Sequence, residues 1–150
     1  MQNDIVSLND ETFRMLRMKH PKEEPASADV LFPDEPVVIH PIVFEKIDAE
    51  LVRTAARKTQ GGSGPSGMDA DGWRRILVSN SFGKSSSDLC QSIAQLAKKL
   101  CTEEQNDASL EAFLACRLIP LDKNPGIRPI GIGEILRRII GKTIIWSVKN

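Results

Sequence analysis

A chain of 150 residues is long enough for about one domain with a core of its own, and 41% hydrophobic with 27% charged residues is ordinary for a soluble protein. No apolar run reaches membrane length and the acidic, polar N-terminus is no signal peptide, so no membrane partner is expected. Cys90, Cys101 and Cys116 lack CxxC spacing, while His20 and His40 lie apart, each beside a proline. That pattern argues against a zinc site or any other metal held by this chain. It fits reduced thiols in an intracellular protein, with nucleus and cytoplasm undistinguished. Net charge is zero, but residues 117–150 hold seven basic and two acidic side chains, net +5, against −3 over 1–60 and −2 over 61–116. A basic end on a neutral chain points to a polyanionic partner.

In chain order, Ser7 to Lys19 predicts a short helix with Ser7, Asn9 and Asp10 as capping residues and Phe13, Leu16 and Met15 on its apolar side; Pro21 stops it. From Pro21 to Pro41, five prolines and interspersed acids predict an extended connector. Asp48 caps a helix through Lys58, with Leu51, Val52, Ala55 and Ala56 inward. Residues 1–60 thus read as a helical and extended N-terminal region, separate from 61–150.

The run Gly61-Gly62-Ser63-Gly64-Pro65-Ser66-Gly67 reads as the most flexible segment. Asp69 or Asp71 then caps a short helix carrying Trp73, Ile76 and Leu77. Ser87 or Asp88 is expected to cap a longer helix to Cys101, with Leu89, Ile93, Leu96, Ala97 and Leu100 as its core stripe and Cys90 and Cys101 as inert packing beside it. Ser109 to Cys116 gives another short helix. Ser81-Phe82-Gly83-Lys84-Ser85 is not a P-loop, because Val78 stands where that motif needs glycine.

Asn124-Pro125-Gly126-Ile127 has type II turn chemistry between two short strands, Leu118–Leu121 and Ile127–Ile132. With Pro125-Gly126 as the loop, Asn124 would pair with Ile127, Lys123 with Arg128, Leu121 with Ile130 and Ile119 with Ile132. The face is apolar with two cations at its tip. An anion between them, or plain solvation of two splayed side chains, would relieve their repulsion. Glu134 opens a final, strongly apolar helix with Arg137, Arg138 and Lys142 on its remaining face. That face is either a solvated stripe or a nucleic-acid contact.

"LIPLDKNPGIRPIGIGEILRRIIGK" resembles the fingers segment of retroelement reverse transcriptases of the non-LTR kind. There, a strand ending in a basic residue is followed by a turn, Arg-Pro-Ile and a helix. Upstream, "GGSGPSGMDADGWRRIL" is similar to the Gly-Pro-Asp-Gly stretch that precedes those fingers, with Ser66 where aspartate is common. The likeness covers roughly residues 60–146. It implies an α+β fold, a mostly helical N-terminal part followed by a β-hairpin and a helix, with the palm absent.

The resemblance further implies that Arg128 and, across the turn, Lys123 contact the phosphates of a deoxynucleoside triphosphate. Arg137, Arg138 and Lys142 become candidate contacts to nucleic acid, an RNA template or DNA. The family's Mg2+ ions are bound by palm aspartates downstream, including a Tyr/Phe-x-Asp-Asp sequence. This chain has no tyrosine and no Asp-Asp pair. It is therefore expected to hold no cofactor or catalytic residue, to be inactive alone as an RNA-directed DNA polymerase, and to need the missing palm as a partner. The alternatives are a non-enzymatic nucleic-acid-binding module and a helical protein-interaction domain.

Overall fold

Short side chains with an oxygen, placed just ahead of apolar-patterned runs, start most of the helices. Asn9 Oδ1 accepts from the Thr12 N–H at 2.8 Å, Asp48 Oδ1 from Leu51 at 2.8 Å, Asp69 Oδ1 from Gly72 at 2.8 Å, and Asn106 Oδ1 from Ala108 at 2.9 Å. Each satisfies a first-turn amide that has no partner within its helix. In the computed structural model, which describes residues 4–20, 39–123 and 125–149, these caps open α1 (Asp10–Lys19), α2 (Ala49–Arg57), α3 (Ala70–Leu77) and α5 (Asp107–Leu114). The other elements are α4 (Gly83–Thr102), β1 (Cys116–Asp122), β2 (Ile127–Gly133), α6 (Ile135–Lys149) and 3-10 turns at Pro41–Phe44 and Asn80–Phe82. The fold is α+β and mostly helical, as expected. The connector expected from Pro21 lies outside the described residues up to position 38.

The chain divides into two compact units, and the division does not follow residue 60. One comprises Met1–Ile39 with Leu118–Gly131, the other His40–Arg117 with Ile132–Asn150. In the first, Ile5 forms an antiparallel bridge with Leu121, the Val6 N–H donates to the Pro120 carbonyl, and the Asp122 N–H donates to the Asp4 carbonyl. Leu16 and Thr12 are the buried residues of α1, whereas Phe13, expected inward, is 53% exposed.

In the second unit the core joins Phe44, Ile47, Val52, Ala55, Ala56 and Leu77 to Cys90, Ile93, Ala94 and Ala97 of α4 and to Ile135, Ile139 and Ile140 of α6. Two expectations for α4 need correction. It begins at Gly83, so Ser87 and Asp88 lie inside it rather than at its cap. The Asn80–Phe82 turn delivers the chain to Gly83 at φ +47°, a left-handed conformation that glycine takes at little cost. The buried stripe also runs through Cys90, Ile93, Ala94 and Ala97, leaving Leu96 38% exposed. α4 packs against both α2 and α6, and small side chains on that face let the backbones approach.

The hairpin's register differs from the expected one by two residues. The Lys123 N–H donates to the Gly126 carbonyl at 3.0 Å, and the strands leave the turn with Asp122 opposite Ile127 and Cys116 opposite Gly133. Asn124 lies outside the described residues. The prolines supply the physical reason. With Asn124 paired to Ile127, the alternation of an antiparallel ladder would call on the missing N–H groups of Pro120 and Pro129. In the observed register both nitrogens point away from the partner strand, and Pro120 gives only its carbonyl to the Ile5 segment. A two-residue displacement keeps every side chain on its own face. Lys123 and Arg128 therefore still share a face, as diagonal rather than directly opposed neighbours.

Candidate functional site

Gly126 has φ +93°, the conformation for which glycine follows proline in this turn. Lys123 and Arg128 flank it, both exposed. Along their face run Leu121 and Ile119 of β1 and Ile130 and Ile132 of β2; Ile130 is 37% exposed, and Ile5, bridged to Leu121, is 70% exposed. Pro120 and Ile127, on the opposite face, are buried. Among the described residues neither cation is ion-paired; the four salt bridges there join Arg14 to Glu11, Arg53 and Arg57 to Glu50, and Arg74 to Asp71. The hairpin tip thus presents two adjacent positive groups to solvent above an apolar surface.

Arg137, Arg138 and Lys142 are placed differently. Each is half-buried and turned onto the chain's own backbone. Arg137 donates to the Leu114 carbonyl at 2.9 Å and to the Cys116 sulfur at 3.7 Å. Arg138 donates to the Gln60 carbonyl at 3.2 Å, and Lys142 Nζ to the Lys58 carbonyl at 2.6 Å. Leu114 is the last residue of α5 and Lys58 the C-cap of α2, while Gln60 lies in the loop that follows. The last carbonyls of a helix lack partners and carry its negative dipole end, so cations stabilise them. α6 therefore supplies charged caps to two other helices. Sequence reasoning missed this, since the partners lie 21 to 84 residues away.

The two quoted stretches meet at the start of α6. The Glu134 carboxylate accepts from both the Ser66 N–H and the Ser66 hydroxyl, the latter at 2.8 Å. A Cβ on Gly64 would lie 2.8 Å from the Glu134 nitrogen and from the Gly133 carbonyl carbon, so only glycine lets the two backbones approach this closely. Glu134 was expected to act on the helix dipole; its tether to Ser66 had no local signal. Among the described residues no three His, Cys, Asp or Glu side chains converge as metal ligands, and no helix is long and apolar enough to cross a membrane.

The fold and this geometry define an α+β, mainly helical protein with a cation-tipped hairpin. The chain matches no protein-family model, no curated protein and no solved structure.

Proposed function

We propose that the chain is the fingers part of a retroelement RNA-directed DNA polymerase, in which Lys123 and Arg128 hold the phosphates of an incoming deoxynucleoside triphosphate and the adjoining surface meets the template. The observation that carries this reading is the hairpin tip, with both cations exposed on one face and unpaired among the described residues. Phosphoryl transfer gathers charge on phosphate oxygens, and fixed cations stabilise it. Arginine can bind such oxygens with two parallel N–H groups, while lysine acts as a point charge. The clasp between Gly64–Ser66 and Gly133–Glu134 adds support, because the two stretches that carry the resemblance are structural partners. The magnesium ions of the reaction would be held by palm aspartates that are not among these residues.

A non-enzymatic nucleic-acid module gains little from α6, whose cations are engaged with backbone carbonyls. A protein-interaction domain finds some support in exposed Ile130, Ile145 and Val148, but under the proposed reading the palm covers such apolar surface.

Calorimetric titration with a deoxynucleoside triphosphate and Mg2+ tests the proposal. Arg128→Glu is expected to weaken binding by about tenfold to a hundredfold, the loss of a charge-assisted hydrogen bond. Unchanged affinity would sink it.

A further inference from the structure

A second cationic site lies in the helical unit and shares no residue with the hairpin tip. Arg53 and Arg57, one turn apart on α2, line a cavity of about 450 Å3 together with Asn80, Gly83 and Ser87. Their positions follow from the helix period: residues four apart share a face, and that face meets the beginning of α4. Arg53 is held in place, with its side chain only 24% exposed and a 2.6 Å hydrogen bond from its guanidinium to Ser87 Oγ. Arg57 is half exposed and available to a ligand.

Residues able to donate line this cavity from three elements: Arg53 and Arg57 of α2, Asn80 of the 3-10 turn and Ser87 of α4. Among the described residues the one acid lining the cavity is Glu50, which is bonded to Arg57 at 3.1 Å and to Arg53 at 3.5 Å while 62% of its side chain faces solvent. It balances one of the two cations and can be displaced into water.

We propose that this cavity binds a phosphate monoester of a polar small molecule, of the sugar-phosphate type. A tetrahedral dianion has enough acceptor oxygens for donors arriving from three sides, which a planar carboxylate lacks. The cavity is larger than a phosphate group, and its hydroxyl and amide walls suit the remaining polar part of an ester. Glu50 acts as an internal competitor for the site. The inference is independent of the hairpin reading.

Titration with inorganic phosphate and with ribose 5-phosphate at constant ionic strength tests it. Saturable binding is expected, tighter for the ester. Arg57→Gln, which sits at the surface and leaves the core intact, is expected to weaken binding by about tenfold or more. Glu50→Gln should strengthen it several-fold. The opposite signs for two neighbouring variants cannot arise from partial unfolding. No saturable binding, or equal affinity for the wild type and the Arg57→Gln and Glu50→Gln variants, would overturn the proposal. So would binding of a 5′-phosphorylated oligonucleotide without binding of either small phosphate.

Discussion

Gly64 has backbone on its open side, and backbone cannot turn aside as a long side chain can. Gly64→Ala is therefore expected to cost about 1–3 kcal/mol, the range for overpacking a close contact, read as a lowered midpoint in urea denaturation. Gly62→Ala, with open space around it, is the control and should change little. The thiols separate in the same residue-by-residue way. Cys90 is fully buried, and burial pushes its pKa up against a smaller opposing effect of Arg53; burial also raises Cys101, while Cys116 is exposed. A thiol that is both inaccessible and protonated reacts slowly. Alkylation of the native protein at mildly alkaline pH should label Cys116 first and Cys90 last by peptide mass spectrometry. Equal rates would contradict the packing of α4.

Among the elements, the helices capped by Asn9, Asp48 and Asp69 were legible because each cap lies only three residues from the amide it bonds. The start of α4 was not, since no side chain caps it and a positive-φ glycine does the work instead. Most of its expected stripe does face the core, with Ile93 and Ala97 buried and Leu89 and Leu100 packed against it, but contact with two helices at once favours Ala94 over Leu96, which is left 38% exposed. The hairpin shows a different failure. The positive φ of Gly126 was legible, but the loop expected between Asn124 and Ile127 is displaced, with Lys123 bonded to Gly126, because the two strand prolines select the register. Pro129→Ala is expected to change stability by less than about 1 kcal/mol, because its nitrogen faces away from β1. Ile130→Pro removes a donor from the ladder and should cost about 3 kcal/mol. Hydrogen exchange of the β1 amides would report the difference, and equal effects would refute the register.

For the molecule as a whole, α6 is the organising element of the helical unit. Ile135, Ile139 and Ile140 are fully buried in its core, and its cations hold the carbonyl ends of α2 and α5. Ile139→Ala is expected to cost about 2–5 kcal/mol, transfer and cavity together. Arg138→Glu would turn an attraction for the Gln60 carbonyl into repulsion and lower stability as well as any affinity for nucleic acid. Arg128→Glu, at an exposed tip, should leave thermal stability unchanged while altering nucleotide binding. Thermal melts beside titrations separate the two groups of cations. A stability loss for Arg128→Glu matching that for Arg138→Glu would contradict the roles assigned to them.

The sequence by itself determined what depends on near neighbours: the capped helices, a turn with positive φ at Gly126, a basic stretch over 117–150 and an α+β composition of elements. Those signals are local because a cap, a turn or a helical face is complete within a few residues. Only the tertiary structure decided what the charges do. Arg137, Arg138 and Lys142 read as a free basic stripe along the sequence, yet in the fold they bond carbonyls at and beyond the ends of α5 and α2, and Arg53 and Arg57 come to line one open cavity with the start of α4. A side chain's charge is a property of its residue, but its partner is chosen by how the backbone packs. Electrostatic energy follows the distance between groups in space, whatever their separation along the chain.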